Sequence, residues 1–280
     1  MERSRIGVFA LAALAAGGLA WGVHYNSVGA RLERASELVF ERKYEEAVAA
    51  YRAIVAGLDP DEDREGWVEA HARLGEITYL ELSEPRRAAE IYRRLIATAP
   101  QAEESWTARE RLAEIARGEL DDVHDAIAQW EALARSGRPN ADRFALKIAR
   151  AYFSLGDYEQ CRQEAQALAE RSPGGRWTAD ALFLLATAFQ MENRHDEAVA
   201  AFEVVESRYP DTAVAARSRY QIGQSKASQR DWEGAQAALL AALETHPDPW
   251  RVQADLARVR KHLAELRKMR PLTRNEALAH

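Results

Sequence analysis

The sequence predicts an all-α fold in which helical hairpins stack in a row. Apolar residues recur at spacings of three and four through most of the chain, which places them on one face of successive helices. One pattern of two helices and a closing proline occurs six times. The composition, with 47% hydrophobic residues, 29% charged residues and 15 glycines, is typical of a helical solenoid. Because a repeat array grows by adding units, the 280 residues need no second globular core.

The clearest copy of the pattern lies at residues 181–210. Its first half predicts a helix with Phe189 on the apolar face, and polar residues around Asn193 predict the turn that follows. A second helix then carries Ala198 and Phe202 on one face. The small residue allows two antiparallel helices to approach closely, and the large one fills the gap between them. This segment is therefore one helical hairpin.

The other copies are recognised by the same small residues. In the first helices this position holds Ala35, Gly75, Ala113, Ala149, Ala186 and Gly223. In the second helices it holds Ala47, Ala88, Ala126, Cys161, Ala198 and Ala235. The closing prolines, Pro60, Pro100, Pro139, Pro173, Pro210 and Pro247, lie between 34 and 40 residues apart. The second and third copies need one extra residue in the turn, and the whole set predicts six hairpins over residues 28–247.

The copy at residues 146–173 carries the marks of a known family. It combines the small Ala149, the aromatic Tyr152, the turn Gly156-Asp157-Tyr158 and the closing Pro173. The chain therefore resembles the tetratricopeptide repeat family, which implies a right-handed superhelical solenoid. In that family the first helices line a concave groove that binds an extended peptide or a helix. Residues 172–186 and 207–223 also resemble bacterial cell-envelope members, which serve outer-membrane assembly, associate with Tol-Pal or act as inner-membrane-anchored chaperones.

The N-terminal residues 1–27 predict a hydrophobic helix that enters a membrane. Arg3 and Arg5 precede an uncharged run at residues 6–23, which approaches the length needed to span a bilayer. We expect a single-pass inner-membrane anchor with the repeats in the periplasm. A signal sequence cleaved near Ala30, which would release the repeats to the periplasm, is the alternative, and a buried soluble helix is a third.

A last helix is predicted at residues 248–270, followed by a disordered tail at 271–280. Its apolar stripe consists of Val252, Leu256, Val259, Leu263 and Leu266, which suits a helix that caps the final hairpin. Its outer side carries the basic residues Arg258, Arg260, Lys261, Arg267, Lys268 and Arg270. These cations are either solvated or contact an acidic partner or anionic lipid headgroups.

The sequence offers no pattern for catalysis or for cofactor binding. Its seven histidines have no metal-ligand spacing, and it contains no phosphate loop and no nucleophile elbow. The single cysteine, Cys161, occupies a small-residue position and is interpreted as a packing thiol, with a reactive or metal-binding role as the alternative. A net charge of -6 gives no reason to expect nucleic acid. We therefore predict no enzyme activity, no cofactor, no metal and no small-molecule substrate.

The exposed positions of the first helices are the predicted site for a protein partner. By the family's rule, the N-terminal half of the groove displays Glu69, Glu76, Glu110 and Glu114. The C-terminal half displays Arg143, Arg150, Phe153, Phe183, Gln190, Arg217, Tyr220 and Gln224. Guanidinium groups beside aromatic rings suit a peptide with carboxylates and apolar side chains.

Together these features predict a non-catalytic scaffold or adaptor of the bacterial cell envelope. It would serve envelope assembly or act as a chaperone-like factor. The alternative is a structural subunit that is permanently built into a large membrane-associated complex.

Overall fold

The computed structural model describes residues 27–269, and all regular structure within that range is helical. The thirteen described helices follow the predicted order of six hairpins and one terminal helix. The predicted N-terminal segment at residues 1–27, apart from Ser27, and the predicted tail at 271–280 lie outside the described residues. The helices form two compact units that divide after Leu133, and each unit is described by itself.

The first unit contains three hairpins. Its helices are α1 (Val28–Phe40), α2 (Tyr44–Ala56), α3 (Arg64–Leu80), α4 (Pro85–Thr98), α5 (Glu103–Gly118) and α6 (Val123–Ala134), the last of which reaches the boundary. From α1 to α5 each helix packs against the next one in the chain. Helix α3 also contacts α1 on one side and α5 on the other, so the first helices of the hairpins lie side by side.

The second unit repeats this arrangement. Its helices are α7 (Ala141–Ser154), α8 (Tyr158–Arg171), α9 (Thr178–Met191), α10 (His195–Arg208), α11 (Ala213–Ser228), α12 (Trp232–Leu243) and α13 (Pro249–Met269). Helix α9 contacts α7 and α11, so these three first helices also lie side by side. Helix α13 packs on α12 through the predicted residues Val252, Leu256, Val259 and Leu263, which are buried. These four side chains cover the core of the last hairpin, whereas Leu266, the fifth residue of the predicted stripe, is exposed.

The turn inside each hairpin contains one residue in the left-handed conformation. These residues are Arg42, Ser83, Asp121, Gly156, Asn193 and Arg230, with φ between 54° and 77°. Asn193 follows the small residue Ala186 by seven positions, whereas Ser83 follows Gly75 by eight. The extra residue predicted in the second hairpin therefore lies between Gly75 and the left-handed residue Ser83.

The small residues mark the points where helices touch, as predicted. Five of the six small residues of the second helices are alanines, and all six are fully buried. At Gly75, an added Cβ atom would lie 2.4 Å from Cε1 of Tyr92. At Gly223, it would lie 2.7 Å from Cγ of Leu239. Glycine is therefore required at these two crossings because the opposing side chain occupies the space of a methyl group.

Replacing Gly75 with alanine is expected to lower the free energy of unfolding by about 2 kcal/mol, because the buried ring of Tyr92 must move. The matched control is Gly118→Ala, also in a helix of the first unit, where no atom lies within 4 Å of the new Cβ. The control is expected to stabilise the helix by up to about 1 kcal/mol. Urea unfolding followed by circular dichroism measures both changes. Equal effects in the two variants would contradict close packing at Gly75.

Candidate functional site

The first helices of the second unit present one continuous face, which we call the first-helix face. It is formed by α7, α9 and α11, the three helices that carry the eight residues predicted to bind a partner. Arg143, Asp180 and Arg217 occupy equivalent positions of the three helices, 37 residues apart (180 − 143 and 217 − 180). At this position, the side chains of α7, α9 and α11 are therefore basic, acidic and basic in turn.

Asp180 joins two of the predicted arginines. Its Oδ1 atom lies 3.6 Å from Nη2 of Arg150 and 3.5 Å from Nη2 of Arg217. The two arginine side chains remain 54% and 41% exposed, so water and a ligand can reach both. Asp180 was not among the predicted site residues, although it lies 37 residues from both Arg143 and Arg217, at the equivalent position of its repeat. The structure therefore places a carboxylate between two guanidinium groups from different hairpins.

An aromatic surface lies beside this ionic cluster. The guanidinium carbon of Arg217 lies 4.8 Å from the ring centre of Phe183, a cation–π distance. Phe183 is half-buried, and its ring packs at 5.3 Å from the ring of Phe202 in the hairpin core. Because the core supports this ring, Phe183 holds both the arginine and the apolar surface in position.

Three further predicted residues are held by contacts within the second unit. Arg143 lies over the ring of its neighbour Phe144 at 4.7 Å. Phe153 is half-buried and packs edge-on against Tyr158 at 5.3 Å. Gln190 donates a hydrogen bond of 3.1 Å from Nε2 to Ser225 Oγ, which links α9 to α11. Gln190 therefore ties two hairpins together.

The prediction that Tyr220 is an exposed residue of the face is wrong. Its side chain is only 5% exposed because α13 covers it. The Tyr220 hydroxyl donates to Oδ2 of Asp255 at 2.6 Å and accepts a hydrogen bond of 3.0 Å from Nε of Arg251. Gln224 is half-buried and donates to the same Asp255 carboxylate. These two predicted residues therefore anchor the terminal helix.

The buried carboxylate of Asp255 is the centre of this anchor. It accepts from Tyr220 and Gln224 and forms an ion pair with Arg258 one turn along α13. A buried charge is tolerated when hydrogen bonds and an opposite charge replace water around it. The accessible part of the first-helix face is consequently centred on Arg150, Asp180, Phe183 and Arg217.

Comparison with protein-family models identifies the repeats. The tetratricopeptide repeat models match residues 142–211 and 220–265, which include Arg150, Asp180 and Phe183 of the first-helix face and the anchor of α13. These residues of the chain are tetratricopeptide repeats. A search of curated proteins finds no match for the sequence.

Solved structures agree with this repeat fold. The apo form of RapI has a TM-score of 0.56 and 12% sequence identity, over 85% of this chain and 72% of that one. The signal transduction ATPase PH0952 from Pyrococcus horikoshii, which has a tetratricopeptide repeat sensor, has a TM-score of 0.52 and 15% identity. That match covers 84% of this chain and 38% of that one. The tetratricopeptide repeat protein YrrB, whose structure is described as having an unusual peptide-binding site, is 18% identical with a TM-score of 0.49, over 70% and 94% of the two chains. At these identities the similarity concerns the fold.

The lone thiol of the repeats is a packing group. Cys161 is fully buried at the small-residue position of α8, and burial raises its pKa to about 12. Such a thiol stays protonated at neutral pH and is a poor nucleophile. Among residues 27–269, no group of three or more His, Cys, Asp or Glu side chains is arranged to hold a metal ion.

The N-terminal prediction concerns residues that the structure does not describe. Within 27–269, none of the helices combines the length and apolar character required to cross a bilayer. The uncharged run at residues 6–23 precedes this range.

In the first unit, Glu69 and Glu76 are exposed on α3, as predicted, whereas Glu110 and Glu114 on α5 are half-buried.

Proposed function

We propose that this repeat protein is a non-catalytic adaptor that binds a protein partner on the first-helix face of its second unit. The observation that carries the proposal is the convergence of Arg150 and Arg217 on Asp180, beside the half-buried ring of Phe183. Two exposed guanidinium groups from separate hairpins provide several directed donors. The adjacent ring adds an apolar surface whose orientation is fixed by Phe202.

The chemistry of the face defines the partner as a peptide or helix that carries a carboxylate next to an apolar side chain. The partner's carboxylate would take donors that now point at Asp180, and its apolar group would pack on Phe183. Charge-assisted hydrogen bonds from arginine are among the stronger polar contacts, and arginine is enriched at binding hot spots. Asp180 acts as an internal competitor, which limits affinity and favours reversible binding.

The beginning of α1 supports an uncleaved N-terminal segment. The hydroxyl of Ser27 accepts a hydrogen bond of 3.3 Å from the backbone N of Ala30 and so caps the helix. Val28 packs closely over Gly66, since a Cβ atom at Gly66 would lie 2.7 Å from Cγ1 of Val28. Cleavage near Ala30 would remove both contacts. We therefore favour a protein anchored in the inner membrane by the N-terminal segment 1–27, with its repeats in the periplasm, over one that is released by signal cleavage.

The experiment is a crosslinking pull-down from intact membranes with the full chain, compared with the double variant Arg150→Glu, Arg217→Glu. We expect the variant to lose specific envelope proteins that the natural chain captures. The matched control is Arg171→Glu with Arg208→Glu, which makes the same charge change on second helices of the same unit. Arg171 is also an exposed arginine paired with an aspartate, Asp142, at 3.0 Å. The control is expected to retain capture.

A direct binding measurement tests the same site with purified protein. A fluorescent peptide that contains Asp-Phe-Asp is titrated into the purified full chain and its variants. The double reversal on the face is expected to weaken binding at least about tenfold, and Asp180→Asn is expected to tighten it, because the internal competitor loses its charge. Unchanged binding and unchanged capture in both variants would exclude this face. A fixed-ratio complex that survives the reversal would instead indicate the structural-subunit role.

A further inference from the structure

The first unit carries a groove that the proposed function does not use. This acidic groove lies between α1 and α3 and has a volume of about 730 Å³. It is lined by apolar side chains of both helices and by Tyr51 of α2 at its base. The apolar lining consists of Leu32, Val39, Phe40, Ile77 and Leu80. The groove therefore has a substantial apolar component.

Two large apolar side chains of this lining face solvent. Phe40, the last residue of α1, is 91% exposed, and Leu80, the last residue of α3, is about half exposed. Scattered exposed apolar residues are common on proteins, but these two belong to the same groove and end neighbouring helices. Their joint exposure at one end of the groove is typical of a contact surface.

The charge of the groove is strongly one-sided. Four glutamates line it, namely Glu33, Glu69, Glu76 and Glu81, and all four are exposed. Arg73 is the only cationic residue of the lining, and its Nη1 lies 3.0 Å from Oε2 of Glu76. The lining therefore carries a net charge of −3 (one cation against four carboxylates). A suitable ligand must combine cations with apolar side chains.

The C-terminal end of the chain has this complementary chemistry. Residues 256–280 contain seven lysines and arginines against two glutamates, a net charge of +5. In α13, Arg267 and Lys268 are exposed between two apolar residues that also face solvent, Leu266 and Met269. Met269 is 71% exposed, although it lies on the helix whose other face caps the last hairpin. From the sequence alone, these cations are either solvated or contact an acidic partner or anionic lipid headgroups.

We propose that the C-terminal end of one copy docks in the acidic groove of a second copy. Leu266 and Met269 would pack against Phe40 and Leu80, while Arg267 and Lys268 would face the glutamates of the lining. Because the two surfaces differ, the contact is heterologous, and each added copy leaves one groove and one basic end available. The chain would thus form head-to-tail oligomers.

The test uses the full chain in a mild non-ionic detergent and measures its mass by light scattering after size-exclusion chromatography. At about 0.05 M NaCl the mass is expected to rise with protein concentration, and about 0.5 M NaCl should reduce it because salt screens the charges. The groove variant Glu33→Lys, Glu69→Lys and the end variant Arg267→Glu, Lys268→Glu are each expected to remain monomeric. The control Glu62→Lys, Glu90→Lys reverses two exposed glutamates of the same unit outside the groove and is expected to associate normally.

A mixing experiment makes the proposal specific for a head-to-tail contact. The groove variant retains its basic end, and the end variant retains its acidic groove. Mixed together, they are expected to form a 1:1 dimer that cannot grow further. A natural chain that stays monomeric at every concentration, or variants that fail to pair when mixed, would overturn the proposal. Association that both reversals leave unchanged would also overturn it and would indicate contact through the apolar run at residues 6–23.

Discussion

Replacing Phe202 with alanine is expected to lower the free energy of unfolding by about 4 kcal/mol. The side chain is completely buried in α10, where it packs with Ala186, Ala198 and Ile222 and against the ring of Phe183. Removing the ring loses its transfer free energy and leaves a cavity between two hairpins. Since each repeat is stabilised mainly by its neighbours, the loss affects both the fifth and the sixth hairpin. Urea unfolding of the full chain, followed by circular dichroism, measures the change.

The matched control for this prediction is Val204→Ala in the same helix. Val204 is exposed, so its truncation is expected to change the free energy of unfolding by less than about 0.5 kcal/mol. A loss of under 1 kcal/mol in Phe202→Ala, or an equal loss in both variants, would contradict the central role of this ring. The same variant also tests the proposed site, because Phe202 supports Phe183 beneath Arg217.

The repeat fold was predictable because its determinants recur in every unit. A small residue that permits close approach recurs in all six units, and a large apolar residue follows it four positions later in five of them, the fourth unit having Ala165 there. Ala198 and Phe202 occupy such a crossing, and both are fully buried. The left-handed turn residues were harder to predict, since Arg230 and Ser83 adopt positive φ without being glycine. There the position within the hairpin, rather than the residue type, determines the conformation.

The candidate site was predicted less well because it depends on neighbours outside each repeat. Tyr220 occupies an exposed position when only α11 and its register are considered. Helix α13 covers it, and Asp255 supplies the buried hydrogen-bond partner, which the repeat pattern does not contain. Asp180 was missed for the opposite reason: its register was visible, but a lone carboxylate has no significance until two arginines are seen to converge on it. The exposure of Phe40 was also not predicted, because phenylalanine side chains are usually buried.

The second large effect is an acid-dependent loss of stability caused by His71. This residue of α3 is buried, its ring packs 3.5 Å from the ring of Trp67, and its Nδ1 atom lies 3.1 Å from the Trp67 carbonyl oxygen. Burial lowers the pKa of His71 from 6.5 to about 4, and the charge of Arg94 acts in the same direction, while the hydrogen bond to Trp67 opposes them. The folded protein therefore binds a proton at this site less readily than the unfolded chain does.

Stability should consequently fall as the pH drops below about 6.5, the value in the unfolded chain, and the loss should be complete below about 4. Between pH 7.5 and pH 5 the contribution of His71 is expected to be about 2 kcal/mol, and its limit is about 3 kcal/mol. The variant His71→Phe keeps a ring beside Trp67 but cannot be protonated. The other titrating groups are common to both proteins, so the difference between their urea-unfolding free energies at the two pH values isolates His71. Parallel pH profiles for the two proteins would contradict the prediction, because they would show that folding does not lower the pKa of His71.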